Sequence, residues 1–251
     1  MSTPDSISAD STARRFARHF RTYDRAARVQ RQLAEELVAH LSERAPQRAF
    51  TSVVELGCGT GLLTRLFLSH FSCARMDLFD LAPNCAEFFD DLPHTHFYHA
   101  NLDLVTSLPP ADLIISSSCL QWVHDPARLF QVVYRALPRG GLFAATAFTA
   151  GNLAELAQCG GRPLVCPQAE AWHAALASAG FTCRALKAWQ TTLVFPSALE
   201  ALRHLKETGV LLPAAAGFAA ARRFLARYEA LRADQGVPLT YAPILWIAEK
   251  A

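Results

Sequence analysis

The sequence predicts an α/β fold: a doubly wound, Rossmann-like sheet with a helical cap inserted near its end. Three observations carry this. Val53-Val54-Glu55-Leu56-Gly57-Cys58-Gly59-Thr60-Gly61 is an apolar strand entering a tight glycine loop. A second apolar strand follows and ends on an acidic residue, Asp80. Strand-like and helix-like periods then alternate to about residue 148.

The first strand, residues 52–57, is short and β-branched, as a buried parallel strand should be. The glycines permit positive φ and close approach of a ligand. A helix begins near Gly61 with Leu62, Leu63, Leu66 and Phe67 on its buried face. Its N-terminus offers unpaired N–H groups. The strand at 74–80 ends in a carboxylate suited to a ribose diol. A short helix is expected around 83–89, strands at 96–101 and 112–118, and a helix over 125–137. Asp125 can cap that helix, Pro126 suits its first turn, and Leu129, Phe130, Val133 and Leu137 form its apolar stripe. Pro138 to Gly141 end it, and 142–148 is a fifth strand.

Beyond residue 150 a helix is expected at 170–179, stopped by Gly180. Residues 191–195 and 244–249 are strand-like. Helical patches at 198–207 and 215–231 lie between them. The expected organisation is therefore a flexible N-terminus over 1–12, a core over 13–195, a helical cap over 196–241, and a final core strand over 242–251. Insertions at the ligand end of such sheets commonly cover the substrate.

Composition bounds the function classes. At 251 residues with 51% hydrophobic residues, the chain is one domain with a large core. Its apolar runs are strand-sized, so no membrane span is expected. Residues 1–12 lack a signal-peptide pattern, and the seven cysteines include no C-x-x-C pair. Reduced thiols in a cytoplasmic protein are the expectation. His94, His96 and His99 cluster without completing a metal pattern, and no metal is expected. Nucleic-acid binding is not expected, because no base-stacking or groove-reading motif accompanies the basic residues.

The glycine loop excludes a dinucleotide. That fingerprint needs a third small residue at position 62, which is Leu62. The loop is G-x-G-x-G preceded by Glu55, and it resembles motif I of class I S-adenosylmethionine-dependent methyltransferases.

Further segments resemble the biotin-pathway malonyl-[acyl-carrier protein] O-methyltransferases. They are Phe16, Phe20 and Tyr23-Asp24 leading to Gln30; Leu120-Gln121-Trp122 with His124-Asp125; Asn152-Leu153-Ala154-Glu155-Leu156; Leu202-Arg203-His204-Leu205-Lys206-Glu207-Thr208-Gly209; and Gly236-Val237-Pro238-Leu239-Thr240-Tyr241. The resemblance implies a class I methyltransferase fold. It also implies methyl transfer from S-adenosylmethionine to the free carboxylate of malonyl-acyl-carrier protein, or of malonyl-CoA. The ester then starts pimeloyl and biotin synthesis. A class I methyltransferase acting on another small carboxylate or acceptor is the alternative. Asn101 stands where the family usually has aspartate, and Gly160-Gly161-Arg162 is shortened against it.

The cofactor residues implied are Glu55, Gly57, Gly59, Gly61, Asp80, Leu81, Asn101, Leu102 and Ser116. Tyr23, Gln121 and Trp122 are expected to shape the methyl-transfer pocket. Arg203, His204 and Lys206 are the candidates for holding the malonyl carboxylate. That carboxylate, with a pKa of roughly 3 to 4, is already ionised, so positioning groups and a lid are expected rather than a catalytic dyad. His124 and Asp125 therefore belong to a helix entry, with Asp125 its cap. Arg14, Arg18, Arg21, Arg25 and Arg28 recur at helical spacing. Their stripe could meet an acidic partner such as an acyl-carrier protein.

Overall fold

A computed structural model describes residues 23–45, 49–210 and 217–251. In chain order the elements are α1 (Arg28–Arg44), β1 (Ala49–Leu56), α2 (Leu62–His70), β2 (Ser72–Asp80), β3 (Thr95–His99), β4 (Leu113–Ser117), α3 (Pro126–Ala136) and β5 (Leu142–Phe148). Then follow α4 (Ala154–Gln158), α5 (Ala169–Ser178), β6 (Phe181–Ala188), β7 (Thr191–Phe195), α6 (Ala198–Glu207), α7 (Phe218–Glu229), β8 (Val237–Tyr241) and β9 (Pro243–Lys250). Short 3₁₀ turns cover Pro83–Phe88 and Leu120–Trp122.

Seven strands form one sheet in the order β3-β2-β1-β4-β5-β9-β6. The first five pair in parallel, and β9 runs antiparallel to both β5 and β6. The order reverses between β1 and β4, which is where such sheets open a crevice at their carboxyl ends. Helices cover both faces, so the central strands are apolar throughout rather than alternating. On one face α1 and α2 bury Leu37, Leu41 and Phe67 against Val53, Met76 and Ile115. On the other, α3 and α5 bury Phe130 and Trp172 against Phe143 and Trp246. Burying a side chain such as Phe143 stabilises the fold by about 1.5–3 kcal/mol.

A third core lies over the carboxyl end of β5. Phe148, Leu153, Phe195, Leu205, Val237, Leu239 and Tyr241 pack there with Val29 and Leu33 of α1. This core includes the segment expected to form the cap, and its strands differ from the sequence reading in two ways. Thr191–Phe195 is not a core strand; it pairs with Val237–Tyr241 in a separate two-stranded sheet. Both strands of that pair stand outside the seven-stranded sheet. The last core neighbour of β9 is instead β6, for which no strand was expected. Its burial alternates at an exposed edge, with Arg184 and Lys187 interrupting the apolar pattern. The expected helix carrying Phe16, Phe20, Arg14, Arg18 and Arg21 lies outside the described residues, which take up the chain at a turn of helix from Tyr23.

Candidate active site

The glycine loop is fastened from three sides. Gly57 and Cys58 both donate backbone hydrogen bonds to the Phe79 carbonyl, at 2.7 and 3.1 Å. This ties the end of β1 to the end of β2. Asp80 continues the link: its Oδ2 accepts from the Gly59 N–H at 2.9 Å and its Oδ1 from the Ala82 N–H at 2.8 Å. Burial raises the Asp80 pKa, and these backbone bonds pull against that rise. The Cys85 thiol and the Leu81 N–H also donate to this carboxylate, so Asp80 is the acceptor around which the loop is organised.

The three loop glycines do different things. All have positive φ, and Gly61 at 83° opens α2. A Cβ on Gly57 would lie 2.2 Å from Cys119 Sγ, so no other residue fits there. A Cβ on Gly59 would meet nothing within 4 Å. Gly57 is required by packing, whereas Gly59 borders open space, as a loop that admits a ligand should. Thr60 Oγ1, between Gly59 and Gly61, donates to Asp24 Oδ1 at 2.6 Å. That contact was not foreseen, because the motif fixes the glycines and leaves position 60 unspecified.

Glu55 is fully buried in β1, and its Oε2 accepts from the Thr64 hydroxyl at 2.7 Å. Burial pushes its pKa up to about 8, with the nearby Asp80 charge adding to the rise and the Thr64 bond opposing it. Burial thus favours the protonated carboxyl, and a cation brought beside it would favour the ionised form. Thr64 stands one turn into α2, and the helical period that placed Leu63 and Phe67 inward also turns it inward.

On the other side of the crevice, β4 ends in Ser117-Ser118-Cys119. Ser118 has a φ of 55°, which is uncommon outside glycine. Among the described residues the buried Ser118 Oγ and Gln121 Oε1 have no hydrogen-bond partner. The Gln121 amide donates to the Ser118 carbonyl at 2.6 Å, fixing its orientation. Unmatched buried polar atoms beside a glycine loop are suited to a polar ligand. Trp122 is half-buried in the same turn. Burial and the Asp24 and Asp80 charges raise the Tyr23 pKa, so its hydroxyl stays protonated beside the loop.

The remaining expected cofactor residues divide. Leu81 follows Asp80 and is half-buried; Leu102 is buried. Asn101 uses Oδ1 to accept from the Asp103 N–H at 3.0 Å, which shapes the turn after β3. Ser116 spends its hydroxyl on the Leu56 carbonyl at 2.7 Å, joining β4 to β1. Its hydroxyl is thereby committed to the sheet. His124 is held by Asp103, at 2.8 Å to its N–H and 2.7 Å to Nδ1, and Asp125 caps α3 through the Arg128 N–H at 3.0 Å. Both belong to the helix entry, as expected. Among the described residues no group of three His, Cys, Asp or Glu side chains could hold a metal ion.

The cap gathers segments distant in sequence. Glu155 accepts from Thr240 N–H at 3.0 Å and from the Thr240 hydroxyl, and Asn152 Oδ1 accepts from the Ala242 N–H at 3.2 Å. His204 Nε2 and the Tyr241 hydroxyl are 2.9 Å apart. The His204 ring also packs on Phe195. Burial lowers its pKa to about 4, with Arg28 nearby reinforcing the shift. His204 is thus neutral near pH 7 and supplies no cation. Arg203 and Lys206, its neighbours on α6, are exposed.

Residues 23–186 match a family described as a methyltransferase domain. A malonyl-[acyl-carrier protein] O-methyltransferase from Chlorobium phaeovibrioides is 33% identical over 94% of each chain. The protein of that description from Haemophilus influenzae is 31% identical over 84% of this chain and 81% of its own. Among solved structures, a putative methyltransferase from Bacillus halodurans superposes with a TM-score of 0.63 at 14% identity, over 85% of this chain and 98% of its own. A Burkholderia thailandensis 1,6-didemethyltoxoflavin-N1-methyltransferase, solved with S-adenosylhomocysteine bound, superposes with a TM-score of 0.57 at 15% identity, over 100% of this chain and 93% of its own. At those identities the two structures speak for the fold.

Proposed function

We propose a single reaction for this chain, which belongs to the family of malonyl-[acyl-carrier protein] O-methyltransferases: it methylates the free carboxylate of a malonyl group carried on an acyl-carrier protein. The observation that carries this reading is the likeness to such enzymes along nearly the whole chain. The methyl donor is S-adenosylmethionine. When bound, it supplies an electrophilic methyl group on a sulfonium.

The residues present suit that donor. Gly59 leaves space, Asp80 is a carboxylate acceptor beside the loop, and Glu55 offers a buried carboxyl that a nearby cation would ionise. We assign Glu55, Gly57, Gly59, Gly61 and Asp80 to holding it, with Leu81, Asn101 and Leu102 along its edge. Gly57 and Asp80 shape the loop as much as they would touch a ligand.

The acceptor needs no base, because a malonyl carboxylate is already an anion at neutral pH. What the protein must provide is alignment and exclusion of water. Tyr23, Gln121 and Trp122 are assigned the alignment. The fixed Gln121 amide leaves Oε1 unmatched, and the protonated Tyr23 hydroxyl is a donor. Arg203 and Lys206 remain the candidates for the malonyl carboxylate. We assign His204 a different part: as a neutral ring bonded to Tyr241, it positions the cap. Of the arginine stripe, Arg25 and Arg28 fall within the described residues, and both are exposed. We assign them a share in attracting the acidic carrier protein.

The test incubates the protein and labelled S-adenosylmethionine with malonyl-carrier protein, malonyl-CoA, free malonate or RNA. Label on the malonyl thioester supports the reading. Label only on free malonate or RNA, or on nothing, overturns it.

A further inference from the structure

Helix α7 is the least buried helix of the cap. Of its residues Phe218–Glu229, only Tyr228 is buried. At 100° per residue, the row opposite Tyr228 holds Ala219, Arg222, Arg223 and Ala226. Phe218 and Arg227 flank that row, and all six residues are exposed. Phe218 is 81% exposed, an unusual place for so large an apolar ring. The Arg222 guanidinium lies 6.0 Å from the centre of that ring.

The charges on this face are unanswered. Arg44, Arg65, Arg75, Arg184 and Arg232 each face a carboxylate. Among the described residues Arg222, Arg223 and Arg227 make no such pair. The first acidic residue of α7 is Glu229, and it is spent on the Ala198 N–H and on Arg232. The face is therefore purely cationic, with two alanines that let another helix approach closely and one exposed aromatic ring.

Its location suits a tethered substrate. A Cβ on Gly161 would lie 3.0 Å from the Phe224 ring, and one on Gly160 would lie 3.5 Å from Arg227 Nη1. So α7 lies against the segment leaving α4, which itself leaves the carboxyl end of β5. That is the end of the sheet where the glycine loop opens.

We propose that α7 is the docking surface for the acidic carrier protein, whose negative helix face would lie along Ala219, Arg222, Arg223 and Ala226 with Phe218 at its margin. The inference rests on the function proposed above. Charge complementarity is what favours this occupant: a cationic, unpaired helix face attracts an acidic surface and steers its approach. It belongs to a different element of the chain from Arg25 and Arg28 of the arginine stripe.

The test compares wild type with an R222E/R223E variant on malonyl-carrier protein and on malonyl-pantetheine, which carries no protein. It also measures binding of fluorescently labelled carrier protein by anisotropy, without turnover. Both residues are exposed and opposite the buried face, so the variant should fold. The expected result is a KM for the carrier substrate raised about tenfold or more at low salt and less at high salt. Carrier binding should weaken in parallel, while malonyl-pantetheine kinetics and S-adenosylmethionine affinity stay within about twofold. An R222K/R223K variant should keep most of the wild-type KM. Unchanged carrier KM and binding at low salt would overturn α7 as the docking surface, as would an equal loss on both substrates. If the wild type methylated neither thioester, the proposed function itself would fail, and that result is separable from a variant effect.

Discussion

The Thr60 hydroxyl donates to the Asp24 carboxylate at 2.6 Å, across 36 residues of sequence. One partner is the variable position of the glycine loop. The other belongs to the turn of helix that carries Tyr23. The bond therefore couples the loop that would hold the donor to the segment carrying Tyr23, a residue expected to shape the methyl-transfer pocket. Thr60→Val should remove the bond while keeping the shape. At about 1 kcal/mol for such a bond, the Kd for S-adenosylmethionine should rise about fivefold, read by calorimetry. Unchanged affinity would make the contact incidental.

Asp80 both braces the loop and is assigned to the ribose. Asp80→Ala leaves the Gly59 and Ala82 N–H groups without their acceptor. Urea titration should show a loss of about 1–3 kcal/mol in stability, alongside weakened S-adenosylmethionine binding. A stable variant with normal affinity would remove Asp80 from both roles.

Glu55 predicts a pH dependence. Its folded pKa is about 8 against an ordinary 4.5. Between those values the folded protein holds a proton that the unfolded chain has released. The group therefore costs stability progressively as pH rises through that window, and no more above it. Glu55→Gln cannot titrate. The stability of the variant relative to wild type should improve between pH 5 and pH 8, by a change on the order of 2–4 kcal/mol. A difference that does not vary with pH would mean Glu55 is ionised in the folded state.

His204 slopes the other way. Its folded pKa is about 4 against an ordinary 6.5. Within that window the unfolded chain binds the extra proton, so stability falls as pH drops from about 6.5 toward 4. His204→Gln should flatten this acid limb by on the order of 2 kcal/mol while retaining a partner for the Tyr241 hydroxyl. An unaltered acid limb would place the loss elsewhere, in the paired carboxylates.

Arg25 and Arg28 are exposed at the start of the helical region. Reversing both to Glu should raise the carrier-protein KM at low salt and leave donor affinity unchanged. Equal kinetics at low and high salt would mean that these charges are merely solvated.

Much of the fold was legible because buried parallel strands announce themselves. Val53, Val54, Ile114 and Ile115 have no polar face to confuse the period. Asp125 and Pro126 marked the start of α3 for the same local reason. What stayed hidden was non-local. Nothing near Thr191 says that its strand pairs with Thr240 rather than with the core sheet; that choice is made by the third core, around Phe195, Leu205 and Tyr241. Near the loop, the positive φ of Gly57, Gly59 and Gly61 was legible, since it follows from backbone need. Thr60, Thr64 and the Cys119 packing on Gly57 were not, because each depends on a partner from another element. Ser116 and His204 make hydrogen bonds to partners that only the folded chain supplies. The quoted segments around Asn152, His204 and Thr240 do converge in the cap, through Glu155–Thr240 and His204–Tyr241.

The most direct test of the central claim is mass spectrometry of the carrier protein after incubation with S-adenosylmethionine and this protein. The account predicts that malonyl-carrier protein gains the mass of one methylene and that an esterase acting on the malonyl methyl ester removes it. The added mass should be absent from acetyl-carrier protein, which has no free carboxylate. Methylation of acetyl-carrier protein, or of the carrier polypeptide itself, would contradict the account.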